Sequence, residues 1–141
     1  MMQFILDNSV AMRWLLATGK LTDQTYAETV LLSLNETQAI VPQIWQLEAA
    51  NVLLGAEKRG QLDAENVEAF VSHLDSLPIV TDTLTHQQVF SRTMSLARAY
   101  KLSSYDAAYL ELALREGLPI ATLDQDLLKA ALKANVKIYL K

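Results

Sequence analysis

With 141 residues, about half of them hydrophobic and a fifth charged, the chain is sized for one domain over 1–141 with a sizeable core. It contains no cysteine, which excludes disulfides, thiolate zinc sites and a cysteine nucleophile, and which fits a reducing cytosol. A formal charge of −4 argues against a DNA-binding module working by charge alone, but not against an enzyme whose acidic site is neutralised by divalent cations.

No apolar run reaches the roughly 18 residues of a membrane helix, so no membrane partner is expected. The start lacks a basic region followed by an apolar stretch and a small-residue cleavage site, so a cytoplasmic protein without a secretory leader is expected. Four glycines and three prolines leave no linker or low-complexity tract, and no internal repeat is visible.

The first element is "QFILD" (3–7), a short continuous apolar run such as a strand buried on both faces shows. Ser9 is placed to cap a short helix containing Met12, Trp14, Leu15 and Leu16. A second helix is predicted over 22–34, where Thr25, Tyr26, Val30, Leu31 and Leu34 recur near helical spacing. "AIVP" (39–42) reads as a strand stopped by Pro42, and a helix from Gln43 to Arg59 follows with Gly60 just past its end. Asp63 caps a helix over 63–75, and "LPIV" (77–80) is a third strand. Helices are predicted at 85–100 and 104–116, the second closed by Gly117. Then come a strand "LPIAT" (118–122), a helix from Asp124 to Ala134 and a last strand "VKIYL" (136–140). This alternation predicts an α/β fold, a three-layer αβα sandwich around a central, mostly parallel sheet. Ligands of such sheets collect outside the carboxyl ends of the strands.

Four acids stand at or near such ends. Asp7 closes the first apolar run; it can accept the free N–H groups of the next helix, but Ser9 can do that as well. Glu48 lies mid-helix in "PQIWQLEAANVLLGAEKRG", where Ile44, Trp45, Asn51 and Val52 leave its stripe without another charge. Such an acid sits at the rim of the apolar face, pairs with a distant Arg, or faces a cation. Asp106, in "LSSYDAAYLELAL", fits a capping box opened by Ser103, although Asp is shorter than the usual Glu or Gln. Tyr109 and Leu110 continue an inward-looking stripe from it. Asp124, in "IATLDQDLLKAAL", is a ready N-cap, and Asp126 behind it suits either a helix N-terminus or an outer metal position. On a parallel sheet Asp7, Glu48, Asp106 and Asp124 can converge on one edge, where four like charges are costly without cations. Magnesium and manganese take oxygen ligands of this kind.

The motifs "LDNSVAMRWL", "VPQIWQLEAANVL" and "LSSYDAAYLELALREGLPIATLDQDL", with "AALKANVKIY" closing the chain, resemble the PIN domain family. Within it they resemble the VapC-type ribonuclease toxins of toxin–antitoxin modules, over nearly the whole chain and most specifically in the third segment. The resemblance implies that Asp7, Glu48, Asp106 and Asp124 are the catalytic and metal-holding acids, acting with Mg²⁺ or Mn²⁺. It implies support from Thr122 and, more loosely, from Asn8 and Ser9. It further implies an RNA substrate, a cognate antitoxin and a homodimer.

The reaction expected is metal-dependent endoribonuclease hydrolysis, with a metal-activated water attacking the phosphodiester to leave a 5′-phosphate and a 3′-hydroxyl. His73 and His86 lie outside the motifs and are not required. Arg13 and Lys101 are candidate phosphate contacts, set against a reading as ordinary surface cations. Two other functions stay open: a PIN-like module binding RNA or protein without turnover, and a receiver-type phosphotransfer domain. The latter calls for a strand-end lysine that the strands beginning at Ile79 and Leu118 do not supply. Apolar stripes over 26–34 and 52–70 read either as core or as a dimer or antitoxin surface.

Overall fold

The computed structural model describes residues 2–17 and 19–141. Four parallel strands, β1 (Met2–Leu6), β2 (Thr37–Val41), β3 (Ile79–Thr81) and β4 (Ile120–Ala121), form one sheet in the order β3-β2-β1-β4. Met2 to Ile5 register with Thr37 to Ile40, and Ile5 and Leu6 with Ile120 and Ala121. Ala39, Ile40 and Val41 register with Ile79, Val80 and Thr81. The helices are α1 (Asn8–Ala11), α2 (Leu21–Ser33), α3 (Trp45–Lys58), α4 (Ala64–Ser76), α5 (Thr85–Gln88), α6 (Met94–Tyr100), α7 (Ser104–Glu116) and α8 (Gln125–Lys133). They complete the expected three-layer α/β architecture.

The apolar run of β1 is explained by its place. Paired on both edges and covered on both faces, it leaves Phe4, Ile5 and Leu6 without solvent contact. From β1 the chain steps outward through β2 to β3, then returns to the other side of β1 as β4. Strand order therefore reverses between β1 and β4, and a crevice at their carboxyl ends is the place where such sheets take ligands. α7 is the most deeply set helix: every residue from Ala107 to Ala113 is buried, and Gly117 ends it in the left-handed conformation (φ 65°).

The core extends across the sheet. The Tyr139 ring stacks on Phe4 with centroids 3.9 Å apart, and the Tyr26 hydroxyl donates to the Tyr139 carbonyl at 2.8 Å. From the 26–34 stripe Tyr26, Ala27, Val30 and Leu34 enter this core, whereas Leu32 points to solvent. The predicted helix over 85–100 forms as one continuous helical segment, with a π-helical stretch at Val89–Thr93 joining α5 to α6. Asp63 caps α4 as expected, accepting from the Asn66 N–H at 2.8 Å.

Three local expectations are corrected. Ser9 is not a cap: it lies inside α1, and the chain then tightens into a 3₁₀ turn over Met12–Trp14, leaving Leu15 and Leu16 beyond the helix. β2 begins at Thr37, two residues before the apolar run that suggested it. The last strand shrinks to a single bridge between Ile120 and Ile138. The Ile120 N–H donates to Lys137 and the Tyr139 N–H to Ile120, and nothing further is available because β4 has only two residues. Positive φ at Asn135 and Leu140 turns the chain away at both sides of that bridge.

Candidate active site

β1 delivers Asp7 to the crevice, and β4 delivers Thr122 beside it; the Asp7 N–H donates to the Ala121 carbonyl at 3.0 Å. Asp7 occupies the N-cap position of α1, but its side chain makes no capping hydrogen bond. Its Oδ2 instead accepts from Ser9 Oγ at 2.5 Å and from Thr122 Oγ1 at 2.8 Å. Ser9 Oγ also accepts the Leu123 N–H at 2.9 Å, and Thr122 Oγ1 accepts the Asp124 N–H at 3.0 Å. Two hydroxyls thus tie the end of β1 to the loop after β4.

Asp7 is 6 % exposed, and burial pushes its pKa up to about 6; the Glu48 and Asp124 carboxylates add to the rise, while Ser9 and Thr122 partly offset it. Asp106 comes from the first turn of α7. Ser103 Oγ accepts the Asp106 N–H at 3.1 Å, so the backbone half of the capping box forms. Among the described residues no hydrogen bond reaches the Asp106 carboxylate itself. Burial lifts its pKa to about 6 as well, helped by Asp124, Asp7, Glu48 and Asp126.

Glu48 comes from the first turn of α3 and is half-buried. Its partner is neither an Arg nor solvent alone: Tyr109 Oη, on α7, donates to Oε1 at 2.6 Å. Tyr109 is fully buried, and burial together with Asp7 and Glu48 drives its pKa well above the usual tyrosine range, so it remains a donor. The sequence marks Tyr109 only as part of an inward stripe. A hydroxyl-bearing ring three residues after Asp106 is the signal that could have singled it out. Asp124 does cap its helix, Oδ2 accepting the Leu127 N–H at 2.9 Å, while it also acts electrostatically on Asp7 and Asp106. Asn8 is buried and donates from Nδ2 to the Trp45 carbonyl at 2.8 Å, joining α1 to the start of α3.

The structure therefore brings Glu48 and Asp124 into electrostatic range of both Asp7 and Asp106, with Asp7 and Asp126 also acting on Asp106. Arg13 is held elsewhere: it pairs with Asp23 at 3.7 Å and lies over Gly19, where a Cβ would meet its guanidinium at 2.9 Å. His86 opens the 85–100 helical segment, exposed and bonded to Gln43, and His73 lies in the last turn of α4. Among the described residues no three acidic or histidine side chains close on one point as a ready-made metal cage. The donor set is all oxygen and open, which fits a hydrated magnesium-type ion that takes one or two carboxylates and completes its shell with water and phosphate oxygens.

Beside Glu48 the surface falls into an apolar groove of about 480 Å³ lined by Ile44, Leu47, Asn51, Leu54 and Tyr105. Leu47 and Tyr105 stand 69 % and 57 % exposed there.

A family model of the PIN domain matches residues 4–133. The chain belongs to the PIN domain family. PIN domains are generally nucleases, and the switch-point acids lie inside the matched span. The fold is similar to the crystal structure of PAE2754 from Pyrobaculum aerophilum (TM-score 0.66, 19 % identity, covering 92 % of this chain and 79 % of that one). It is also similar to a toxin–antitoxin complex from Klebsiella pneumoniae (TM-score 0.58, 22 % identity, covering 87 % and 88 %). A search of curated proteins gave no match. No helix among the described residues of this PIN domain is long and apolar enough to cross a membrane.

Proposed function

We propose that this PIN domain is a metal-dependent endoribonuclease, the toxin of a toxin–antitoxin pair, with Asp7, Glu48, Asp106 and Asp124 as its catalytic acids. The observation that carries the reading is the state of Asp7 and Asp106: two carboxylates pushed up to about 6 by burial and by neighbouring acids, Glu48 and Asp124 acting on both, at the sheet's switch point. Proteins hold such a cluster at a cost, and a divalent cation removes that cost.

Asp7 and Asp106 would hold the ion, Glu48 and Asp124 would sit close enough to orient its waters, and Asp126 would stand outside them. When bound, Mg²⁺ or Mn²⁺ lowers the pKa of a water and stabilises charge on the phosphate and the leaving oxygen. Ser9 and Thr122 fix the Asp7 carboxylate, so one of its oxygens is committed to hydroxyls and the other faces the site. Tyr109 fixes Glu48 in the same way, and the backbone of α8 fixes Asp124. Positioned acids of this kind let hydrolysis proceed without a histidine.

The similarity to the Klebsiella pneumoniae toxin–antitoxin complex supports the toxin reading. The apolar groove beside Glu48 is the surface assigned to the antitoxin, and a homodimer is proposed with it.

RNA cleavage assayed with Mg²⁺ or Mn²⁺ tests the site. Wild type should cleave and lose activity in chelator, and Asp7→Asn and Asp106→Asn should each lose at least a hundredfold. Full metal-dependent activity in both variants overturns the assignment. Calorimetric titration with Mn²⁺ separates an enzyme from a module that binds RNA without turnover: absence of Mn²⁺ binding, with or without RNA, favours the module.

A further inference from the structure

Next to the acids lies a patch of opposite charge. Tyr100, Lys101, Asp126, Lys129 and Lys133 line a cleft of about 180 Å³ between the end of α6 and the outer face of α8. All three lysines are exposed, and among the described residues none of them is ion-paired. Lys129 and Lys133 stand four residues apart on one face of α8, an arrangement that repels and weakens a helix. Lys101 joins them from across the cleft in a left-handed conformation (φ 55°) that glycine adopts more readily than lysine. Three cations against one carboxylate make this a local positive field on a chain of net charge −4. Tyr100 adds a half-buried ring at its edge.

Helix α8 links the cleft to the acid site. Asp124 caps that helix, Asp126 lies two residues on, and Lys129 and Lys133 follow at about 4–10 Å of axial rise beyond Asp126. Cations beside an aromatic ring are the combination that holds a single-stranded nucleic-acid backbone, ammoniums taking phosphates and the ring taking a base.

We propose that the Lys101–Lys129–Lys133 cleft binds the phosphate backbone of single-stranded RNA flanking the scissile bond, and so sets how the strand enters the acid site. The proposal rests on the ribonuclease reading for its position but not for its measurement. On an acidic chain it supplies the phosphate contacts that Arg13, tied to Asp23, is not placed to give.

The test is equilibrium binding of a labelled, mixed-sequence single-stranded RNA by fluorescence anisotropy, in chelator and across a salt series. In the triple variant Lys101→Ala/Lys129→Ala/Lys133→Ala the slope of log affinity against log salt should fall by about 2, from roughly 0.7 per phosphate contact. Over a fourfold rise in salt, wild type should therefore lose roughly twentyfold more affinity than the variant does. The corresponding triple Lys→Arg variant should keep the wild-type slope. An unchanged affinity and slope in the alanine variant overturns the proposal. So does an equal loss in Lys58→Ala/Lys137→Ala, which removes charge elsewhere on the surface. Because binding is read without metal, a chain that binds RNA through these lysines but never cleaves it would sink the nuclease reading and leave the cleft standing.

Discussion

Helix α7 serves two groups of acids, and they differ in what faces them. Near its start Asp106 joins Asp7, Glu48 and Asp124, and among the described residues no Lys or Arg is ion-paired with any of the four. Near its end Glu111, 1 % exposed, joins Asp82 from the loop after β3, and Arg115 forks between them. Arg115 Nη1 and Nη2 donate to both oxygens of Asp82 at 3.0 and 2.8 Å, and Nε and Nη2 donate to Glu111 at 2.9 and 3.0 Å. Burial alone would raise Asp82, but Arg115, the Thr85 hydroxyl and the Leu84 N–H together hold it below the usual carboxylate range. Burial raises Asp7 and Asp106 in the same way; the Ser9 and Thr122 hydroxyls only partly offset the rise at Asp7, and no cation among the described residues pairs with either. One group is complete as the chain folds. The other has no counter-charge among the described residues, and the cation proposed above would supply one.

The largest expected effect breaks the complete group. Arg115→Met leaves Asp82 and Glu111 buried without a counter-charge and should destabilise the fold by about 3–5 kcal/mol, read by urea unfolding. Adding Glu111→Gln to that variant should recover part of the loss by removing one orphaned charge. A drop under about 1 kcal/mol would mean that the fork is solvent-screened and holds little. The pH dependence has a definite sign. Asp82 is lowered in the folded state, so the unfolded chain binds the extra proton and the contribution is present above the unfolded pKa. It is lost as pH falls through the lower folded value, at the acid end of an unfolding series.

The two groups also differ in how far the sequence revealed them. Asp7, Asp106 and Asp124 are legible because strand ends and helix starts are local features, and the parallel sheet gathers them without knowledge of side-chain contacts. Glu48 is legible as a lone acid on an apolar stripe. Glu111 in "YLELAL" carries that same signature, with Arg115 four residues on, but the second partner of Arg115, Asp82, is 33 residues from it in sequence and no local pattern announces it. The lysine cleft is only half legible for a related reason: Lys101 stands out in the sequence as a candidate phosphate contact, but Lys129 and Lys133 join it only in the fold. The lost strand at 136–140 shows the limit of periodicity. "VKIYL" has the composition of a strand, but a strand needs a partner to pair with, and β4 offers only two residues.

The second prediction relieves the incomplete group. Asp7 titrates near 6 when folded and near 3.8 when not, so between those values the native state binds more protons and stability falls as pH rises. The cost is on the order of 3 kcal/mol above pH 6 in metal-free protein. Asp7→Asn keeps an oxygen for Ser9 and Thr122 and removes the charge. It should stabilise metal-free protein by about 1–2 kcal/mol at pH 7, flatten the pH 4–6 part of its stability curve, and cost the cleavage activity. Mg²⁺ should raise the melting temperature of wild type more at pH 7 than at pH 4.5, and should do much less for the variant. A variant less stable than wild type at pH 7 would show Asp7 to be a structural acid like Asp82.

The smallest effect tests whether the incomplete group is positioned as well as charged. Tyr109→Phe leaves the buried ring in place and deletes one hydroxyl, the donor to Glu48 Oε1 at 2.6 Å. Glu48 is half-buried and regains water when the tyrosine lets go, so the stability loss should be only about 1 kcal/mol. Glu48 would then sample other rotamers and hold the ion's waters less well. The Mg²⁺ concentration giving half-maximal cleavage should rise several-fold, while the rate at saturating Mg²⁺ changes little. The split between those two readings decides the role of Tyr109: a lower melting temperature with an unchanged Mg²⁺ requirement makes it core, whereas a raised requirement in a stably folded variant makes it the residue that aims Glu48.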